Sequence, residues 1–462
     1  MRFISRKFHL QESSVRFFGY FLITLSLVSG AVWRLVGMFW YTEFKGDQIR
    51  DAYIYMDMWH GVWPSLGPAS SVGGFALPPL YYYLVFPFTV LGANPIWQVL
   101  LNVLCSWLSI PSLMWVLYRL FFGVPRHWRF VLVGAAGLWW GTVFQYIYLT
   151  TREWNPIPVP FFLLLMVVLM EWAYTAESPR KQVLIWIGQG AVGAILVSLH
   201  STTWLMMPVV FAISSIIYIR KTKKWWLPVI GVFSAVFALL PYWVGELHRH
   251  GANTKAFLAV ILHSSKGEQS HTLLQRLDRA VATYFDLGQS TYFFHLPMNA
   301  LATIFLSAIA IIFLLRFRGD RRLLQHWLLI IGVYFFAAAN YWDVLYIHYL
   351  LPIMTLPILL IVGSLSGLHW NTRKEAIVGG LLIALGVFSF GINLQADVEY
   401  MNDILGSDRL PNTRDAVHAV EQFQPGSAVC VDRGTLPQYQ YIDRFIIKKN
   451  FTFVEGCDRI GS

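Results

Sequence analysis

The sequence predicts an all-α polytopic membrane protein with about eleven transmembrane helices and a small α/β appendage at its C-terminal end. Three observations support this fold class. Hydrophobic residues make up 56% of the chain, and its mean hydropathy is +0.53. Charged residues make up only 13%, whereas a soluble chain carries roughly 25%. Apolar runs close to the ~20 residues needed to cross a bilayer recur along residues 15–393.

These apolar runs give the positions of the membrane-spanning helices. We predict spans at 17–40, 97–118, 130–149, 157–175, 183–199, 205–219, 226–244, 298–315, 325–339, 348–366 and 376–393. The stretch 77–92 is also apolar, but it is short for a crossing and contains three prolines. We therefore predict that it lies at the membrane interface, where tyrosines suit the headgroup level.

Basic residues indicate the orientation of the spans. With eleven spans and a cytoplasmic N-terminus, the cytoplasmic segments hold most of the lysines and arginines, including the clusters at 220–224 and 316–322. Such a bias is typical of cytoplasmic loops. The net charge of +10 therefore reports orientation and not a nucleic-acid partner. The sequence predicts a multi-pass protein of the cell (inner or plasma) membrane, with its C-terminal region periplasmic or extracellular.

This orientation divides the chain into two regions. Residues 1–393 form the transmembrane domain, in which 41–96 is the first outer loop and 245–296 is a long outer loop. Residues 394–462 form a small extracytoplasmic region. Within it, NTRDAVHAVEQF has helical spacing, whereas SAVCVD and RFIIKKNFTF are typical of strands.

The cysteines exclude a disulfide-rich scaffold, because the chain contains only three. Cys105 lies in an apolar run, where we expect a core residue. Cys430 and Cys457 lie in the polar tail. A disulfide between them in an oxidising compartment and two free thiols are both compatible with the sequence.

Polar residues that could carry chemistry cluster directly after the first span, in FKGDQIRDAYIYMD. Asp47 and Asp51 are four residues apart, so on a helix they share one face, with Arg50 beside them. One interpretation is a capped and solvated juxtamembrane helix. The other is a carboxylate base at the membrane surface that takes a proton from a hydroxyl. Arg34, inside the first span, could reach lipid headgroups, pair with an aspartate or bind a lipid phosphate.

Two further outer turns carry polar side chains. Arg152 and Glu153 lie in TTREWNP, where a salt-bridged turn anchored by tryptophan is the alternative to a functional role. NYWDVLYIHYLLP contains Asp343, His348 and Tyr349. Anchoring at the membrane interface explains the aromatic residues of this turn but not its aspartate or histidine.

The long outer loop is rich in basic residues and histidines. Cations such as Arg249 and Lys255 could hold a phosphate, since positive charge beside an anionic leaving group lowers its barrier. The histidine spacings match no familiar zinc signature, so we predict no metal site. Nothing in the sequence defines the nucleophile turn of a catalytic triad.

The first-loop sequence GDQIRDAYIYMDMWHGVWPSLGPASSVGGFALPPLYYYLVFPF resembles that of the GT-C membrane glycosyltransferases. It is most similar to the branch of protein O-mannosyltransferases and lipid A aminoarabinose transferases. The stretches REWNPIPVP, LPYWVGELHRHGANT and HYLLPIMTLP resemble later segments of the same branch. The likeness covers most of 15–393 and implies a GT-C-like fold.

The resemblance also implies a function. Such enzymes invert the sugar carbon as they move a sugar from a polyprenyl-phosphate donor in the bilayer to a glycan, lipid or protein acceptor. No cofactor is implied; a divalent cation is possible but nothing in the sequence supports one. Gln48 replaces the glutamate that usually follows the catalytic acid, and Leu77 stands where the aminoarabinose branch often has lysine.

Carried onto this chain, the resemblance assigns roles to particular residues. The catalytic base maps to Asp47, and the role of a second carboxylate passes to Asp51. The predicted contacts to the donor phosphate are Arg34, Arg50, Arg152, Arg249 and Lys255. The predicted substrate-binding residues are Tyr82, Glu153, Asp343, His348 and Tyr349.

Two other functions remain open at this point. A non-enzymatic transporter or flippase of lipid-linked sugars would also be polytopic, but it should show paired repeats, broken helices and ionisable groups at the midplane. A non-catalytic assembly scaffold would need no acidic cluster. The acids of this chain cluster in the predicted outer segments, which favours the enzyme.

Overall fold

The computed structural model describes residues 12–70, 73–263, 272–292, 320–339, 347–356, 358–359, 391, 395, 398–399, 413–431 and 434–456. The predicted spans at 298–315 and 376–393 lie outside the described residues, except for residue 391. Of the span at 348–366, residues 357 and 360–366 lie outside them as well, and the described part begins as a 3₁₀ helix over Ile347–Ile353.

Helices make up nearly all of the described membrane domain. They are α1 (Glu12–Tyr41), α2 (Asp47–Trp59), α3 (Leu80–Val85), α4 (Pro95–Gln98), α5 (Leu100–Leu120), α6 (Arg126–Gly141), α7 (Phe144–Thr150), α8 (Val159–Thr175), α9 (Pro179–Leu199), α10 (Ser201–Thr222), α11 (Trp226–Ala238), α12 (Leu240–His248), α13 (Ala252–His263), α14 (Leu273–Tyr292) and α15 (Arg321–Ala339). Within the described ranges, five helices are long and apolar enough to cross a membrane, or seven if each bent pair is one span. The predicted all-α polytopic membrane fold is confirmed.

Two predicted spans are broken helices. The span at 130–149 is the pair α6 and α7, bent by 53°, and the span at 226–244 is the pair α11 and α12, bent by 59°. A hydropathy profile does not reveal such breaks, because the residues on both sides of each break are apolar. The break after Gly141 matters for the site, since α7 then leads directly into the TTREWNP turn.

Small residues allow α1 and α6 to pack closely. A Cβ atom at Gly134 of α6 would lie 2.7 Å from the Cβ of Leu22 and 3.0 Å from the backbone nitrogen of Ile23. A Cβ at Gly19 of α1 would lie 2.6 Å from the Cβ of Phe130. Close backbone approach at small residues is a common way for membrane helices to associate. The first span is thereby fixed against α6, and with it the origin of α2.

The remaining spans pack around α9. This helix contacts α8, α10 and α11, while α8 also contacts α5, and α10 contacts α15. At the far ends of α8 and α15, away from the TTREWNP turn, the buried Glu171 carboxylate accepts a hydrogen bond from Nε of Arg322 at 3.0 Å. This ion pair joins the two helices at the end of the bundle opposite to the acidic first loop.

The interfacial stretch forms two short helices. The α3 helix continues as a 3₁₀ helix over Phe86–Leu91, so the helical segment Leu80–Leu91 is too short to cross a bilayer. Tyr81 and Tyr82 of α3 are buried. They point towards α2 and α5, where the polar contacts described below are made.

The C-terminal region is a small α/β lobe. It contains α16 (Thr413–Glu421), β1 (Ala428–Val431), α17 (Leu436–Tyr441), a π-helical turn (Ile442–Ile447) and β2 (Thr452–Glu455). The two strands pair in parallel, with Val429 opposite Phe453. Buried residues of the lobe and of the membrane domain belong to one continuous hydrophobic core.

One strand prediction in this lobe is only partly right. The segment RFIIKKNFTF forms a strand from Thr452 onwards, but its first half belongs to the π-helical turn. Tyr439 and Ile442 are both buried and lie three residues apart, which suits a helix and not an extended chain. The carboxylate of Asp443 then accepts hydrogen bonds from the backbone N–H groups of Lys449 (2.9 Å) and Phe451 (2.8 Å), which fixes the exit from the turn.

The cysteines are now partly assigned. Cys105 is free and buried in α5, as expected for a core residue. Cys430 in β1 is disulfide-bonded. Cys457 lies outside the described residues.

Replacement of Gly134 by alanine should destabilise the protein, because the new methyl group would overlap backbone and side-chain atoms of α1. Overpacking of this kind costs about 1–3 kcal/mol. Gly332→Ala is the matched control, since nothing lies within 4 Å of a Cβ there. Thermal unfolding in detergent should show a lower midpoint for Gly134→Ala only. Equal midpoints for the two variants would contradict the close packing of α1 and α6.

Candidate active site

The first part of the site is the α2 helix, which begins at Asp47 directly after Gly46. The φ angle of Gly46 is +48°, a conformation that glycine adopts easily. Asp47 does not cap the helix with its side chain; its carboxylate lies in the first turn, where the helix dipole favours an anion. The side chain is 59% exposed. Asp47 is therefore accessible at the mouth of the site.

Arg50 joins the two predicted catalytic aspartates. Its Nη1 donates to Oδ1 of Asp47 at 2.8 Å, and its Nε donates to Oδ1 of Asp51 at 2.7 Å. The Tyr82 hydroxyl of α3 also donates to Oδ1 of Asp51, at 2.8 Å. Asp51 is only 2% exposed, so the interpretation of α2 as a fully solvated helix is wrong for this residue.

A second carboxyl group reaches the site from the turn after α7. Glu153 is 1% exposed, and its Oε1 accepts a hydrogen bond from the Tyr55 hydroxyl at 2.6 Å. Nε2 of Gln48 donates to the backbone carbonyl of Glu153 at 3.2 Å. The α2 helix thus holds this turn through Gln48 and Tyr55, which lie on the same face as Asp51.

Asn102 fixes the same turn from the side of α5. Its Nδ2 donates to the backbone carbonyls of Arg152 at 2.8 Å and Trp154 at 3.1 Å, and lies 3.3 Å from the Tyr81 hydroxyl. The two bonded carbonyls flank Glu153 on either side. One polar side chain on a membrane-spanning helix therefore sets the backbone from which the Glu153 carboxyl projects.

Burial governs the protonation of the two carboxyl groups. It raises the pKa of Asp51, although hydrogen bonding and charge from Arg50 and the Tyr82 hydroxyl act in the opposite direction. The pKa of Glu153 is raised well above its ordinary value, chiefly by burial and next by the charge of Asp51. Among the described residues, no cation forms a salt bridge with Glu153. We infer that Glu153 holds the proton while Asp51 remains ionised.

The negative charges of Asp47 and Asp51 also affect the pKa of Arg50. Burial alone would lower the pKa of its guanidinium, but the hydrogen bond and charge of Asp51 outweigh that effect and raise it. Arg50 therefore stays cationic. The site combines an exposed carboxylate, a permanent cation and a buried carboxyl group whose raised pKa favours its protonated form.

The other predicted phosphate contacts are placed less favourably for that role. Arg34 is 0% exposed; its guanidinium donates to Ser106 Oγ (2.6 Å) and to the backbone carbonyls of Gly141 (2.7 Å) and Gly30 (2.9 Å). These contacts compensate carbonyl groups where α6 ends. The geometry favours a structural role in joining α1, α5 and α6 over the predicted contact with a phosphate.

Arg152 is also engaged by protein groups. It forms a salt bridge with Glu43 and packs over the ring of Tyr148, 4.7 Å from its centroid. The backbone N–H of Glu43 donates to the carbonyl of Thr151 at 3.1 Å. These contacts tie the chain before α2 to the turn that carries Glu153. The alternative of a salt-bridged turn describes Arg152 better than a phosphate contact does.

Arg249 and Lys255 lie on a segment that packs against the later part of the first loop, away from Asp47 and Asp51. Nη2 of Arg249 donates to Oγ of Ser65 at 3.1 Å, and Lys255 is exposed on α13. Asn253 makes two hydrogen bonds with the backbone of Ala76, at 2.6 Å and 2.9 Å. Arg249 also forms an ion pair with Glu246 at 3.9 Å. Its described contacts are therefore with Glu246 and the later part of the first loop, and none of them is with Asp47 or Asp51.

His348 and Tyr349 lie beside the Glu153 turn. The ring of His348 is 4.6 Å from that of Trp154 and 5.5 Å from that of His200, and the rings of His200 and Tyr349 are 4.8 Å apart. The structure thus brings together two predicted outer turns, and the ring of His200 packs against the second of them. Asp343 lies outside the described residues.

Tyr55, Tyr81 and Asn102 belong to the site but were not predicted from the sequence. Tyr55 lies four residues after Asp51 and so shares its helical face, a signal that could have found it. Asn102 is a polar residue inside an apolar run, which is a functional hypothesis by default in a membrane helix. Within the described residues, no group of three or more His, Cys, Asp or Glu side chains is arranged to hold a metal ion.

Comparison with solved structures defines the fold. ArnT from Cupriavidus metallidurans, bound to undecaprenyl phosphate, is similar to this chain with a TM-score of 0.55 at 14% identity, over 95% of this chain and 86% of that one. The same protein in the apo state gives a TM-score of 0.50 at 13% identity, with the same coverage. This chain has the fold of ArnT. The polytopic membrane fold that the first-loop resemblance implies is confirmed.

A more distant likeness involves a second protein. The oligosaccharyltransferase from Archaeoglobus fulgidus, crystallised with a tethered acceptor peptide, gives a TM-score of 0.45 at 13% identity, over 94% of this chain and 64% of that one. No protein-family model and no curated relative matches the sequence.

The raised pKa of Glu153 predicts a pH dependence of stability. A carboxyl group whose pKa is raised by folding stabilises the protein while protonated, and that contribution is lost as pH rises from the ordinary value of 4.5 through the raised one. Each pH unit in this window should cost up to about 1.4 kcal/mol. Glu153→Gln keeps the acceptor for Tyr55 but cannot ionise, so its unfolding midpoint should fall less steeply with pH.

Asp57→Asn is the control for this experiment, because Asp57 is an exposed carboxylate on the same helix. Its midpoint should follow that of the wild type at every pH. Parallel curves for the wild type and Glu153→Gln would show that Glu153 does not hold the proton.

Proposed function

We propose that this chain is an inverting glycosyltransferase that moves a sugar from a polyprenyl-phosphate donor to an acceptor hydroxyl at the outer face of the membrane. One observation carries this proposal: a carboxylate–arginine–carboxylate cluster on α2, directly after the first span of a GT-C fold. ArnT, which has this fold, was solved with undecaprenyl phosphate bound. A donor of that kind stays in the bilayer, so its headgroup must be met at the membrane surface.

In this proposal Asp47 is the general base. It is the more exposed of the two aspartates and lies at the helix start, where an acceptor can approach. Its carboxylate takes the proton of the acceptor hydroxyl, whose oxygen forms a bond to the anomeric carbon. The bond from that carbon to the phosphate oxygen breaks on the opposite face, so the carbon is inverted. Polyprenyl phosphate leaves with the bonding electron pair.

Arg50 supplies the positive charge at the leaving phosphate. Its guanidinium is held by Asp51, which is itself held by Tyr82, so the cation is oriented before any donor arrives. Preorganised charge of this kind stabilises the anion that develops as the bond breaks. Asp51 thus serves as the second carboxylate by positioning Arg50.

Glu153, His348 and Tyr349 supply the substrate-binding side of the site. A protonated Glu153 is a hydrogen-bond donor, which suits sugar hydroxyl groups better than a second buried charge would. The ring of His348 packs against Trp154, the residue after Glu153, and offers an apolar face for a sugar ring, while Tyr349 supports that ring from behind. Tyr82 completes this group through its contact with Asp51.

Two observations support an outer location for the site. The basic clusters of the sequence fall in segments that the span order places on the other side of the membrane. The disulfide at Cys430 fits an oxidising compartment, and its lobe packs against α2. We therefore propose that 1–393 form a transmembrane domain with a cytoplasmic N-terminus and that 394–462 lie outside the cytoplasm.

The second candidate function is a transporter or flippase of lipid-linked sugars, and the two broken helices favour it. In this chain, however, the α6–α7 break is filled by the Arg34 side chain, which bonds the carbonyl of Gly141. The break also places the Glu153 turn against α2. It therefore serves to build the acidic site, which a carrier would not need.

Asp47→Asn separates these two functions. The amide cannot accept the acceptor proton, so transfer from a panel of polyprenyl-phosphate sugars should fall by about 10²–10⁴-fold. The donor that supports transfer should still raise the unfolding midpoint of the variant, since Arg50 and Asp51 are unchanged. Asp57→Asn, on the same helix, should transfer sugar at the wild-type rate.

Two outcomes would contradict the assignment. Wild-type transfer by Asp47→Asn would exclude this residue as the base. The carrier would be favoured if a donor stabilised the wild type and the protein moved that lipid across the vesicle membrane, but no sugar was transferred to any acceptor.

A further inference from the structure

The C-terminal lobe meets the back of the helix that carries the catalytic aspartates. On α2, the site face is formed by Gln48, Asp51 and Tyr55, whose buried side chains point at α3 and the Glu153 turn. Tyr53 lies two residues from Asp51, roughly 200° around the helix, on the other face. Its ring makes an edge contact with Tyr441 of the lobe at 5.2 Å.

Tyr441 contacts three parts of the first loop. Its ring lies 5.3 Å from that of Phe44, just before α2, as well as against Tyr53. Its hydroxyl donates to the backbone carbonyl of Ala93 at 2.8 Å and lies 3.5 Å from Nε2 of Gln98. Tyr441 is 0% exposed. A single side chain of the lobe therefore connects the beginning and the end of the loop that forms the site.

The lobe holds Tyr441 in a defined position. The residue ends α17 and is followed by the π-helical turn, a helical irregularity often found where function requires a particular side-chain direction. Phe445, one turn further, packs 4.8 Å from Tyr441 and 5.9 Å from Tyr53. Asp443 closes the turn through its two backbone hydrogen bonds.

The α2 helix needs such support. It has 13 residues, and isolated helices of about 12–15 residues are marginal in water. Gly46 offers no side-chain cap at its start. The site face packs on α3 and the Glu153 turn, and Trp59 at the end of the helix donates to Oγ1 of Thr89 at 3.0 Å. The contact of Tyr53 with the lobe adds a support on the opposite face, which resists rotation of the helix about its own axis.

We propose that Tyr441 is a positioning residue for catalysis, through which the C-terminal lobe fixes the rotation of α2 and hence the aim of Asp47 and Arg50. This role rests on the glycosyltransferase function proposed above. The C-terminal lobe is then a part of the catalytic apparatus, although none of its described residues contacts the aspartates.

Amide hydrogen exchange tests the contact without any substrate. Tyr441→Ala should increase exchange in the peptide covering Asp47–Trp59, while peptides from α8 and α9 keep their wild-type protection. Tyr441→Phe keeps the ring contacts and loses only the two hydrogen bonds of the hydroxyl, to Ala93 and from Gln98, so it should restore most of the protection. Phe453→Ala is the matched control: Phe453 stacks on Tyr439 within the lobe, and its loss should leave the α2 peptide unchanged.

Sugar transfer tests the consequence. A small rotation of α2 misplaces both the base and the cation, so Tyr441→Ala should lower turnover by about 10–100-fold. Tyr441→Phe should recover turnover to within a few-fold of the wild type, and Phe453→Ala should not lower it. Tyr53→Leu should reproduce the effect of Tyr441→Ala, and the double variant should be no worse than either single one.

The outcomes separate the two proposals. Unchanged exchange in the α2 peptide of Tyr441→Ala, or an equal increase in Phe453→Ala, would overturn the positioning role whatever the enzyme does. Increased exchange in Tyr441→Ala with no transfer by the wild type would instead keep the contact and overturn the proposed function. A Tyr441 variant that loses protection in α8 and α9 is unfolded and does not test the contact. In that case Tyr53→Leu tests it: increased exchange in the α2 peptide of this variant supports the positioning role, and unchanged exchange overturns it.

Discussion

Asp51 and Glu153 bury two carboxyl groups at one site, between α2, α3 and the turn after α7. Taking a charged group out of water costs several kcal/mol unless nearby groups compensate it. Arg50 and Tyr82 compensate Asp51, while Tyr55 donates to Glu153, whose burial favours the protonated form. These hydrogen bonds form only when the segments that carry their donors, α2 and α3, are packed together. The requirement to satisfy two buried acids therefore fixes the geometry of the first loop.

The membrane fold supplies the frame for this arrangement. Close packing of α1 on α6 fixes the start of α2, and the break after α6 aims α7 at the Glu153 turn. Arg34 stabilises that break from within the bilayer region. The C-terminal lobe packs against the opposite face of α2. As a result Asp47 remains accessible while Asp51 and Glu153 are buried, which is the arrangement that the proposed general base requires.

The sequence predicted the fold class and the central acidic pair, because long apolar runs and the i, i+4 spacing of Asp47 and Asp51 are local signals. The sequence could not show which of the basic residues is free to bind the donor phosphate. Arg34, Arg50 and Arg152 are all basic residues near the same loop, and only tertiary structure shows that Arg34 and Arg152 bind carbonyl groups and Glu43. The helix breaks escaped detection since they interrupt hydrogen bonding and not hydropathy. The π-helical turn was taken for a strand because three consecutive apolar residues suit either.

The most direct test is a cryo-electron microscopy structure of the protein with a bound polyprenyl-phosphate sugar. Our account predicts phosphate oxygens within about 4 Å of the Arg50 guanidinium, with the Asp47 carboxylate on the opposite side of the anomeric carbon. Glu153 should contact the sugar. A headgroup bound near Arg322 and Glu171, at the other end of the bundle, would contradict the account, as would a phosphate in the first loop that leaves Arg50 untouched.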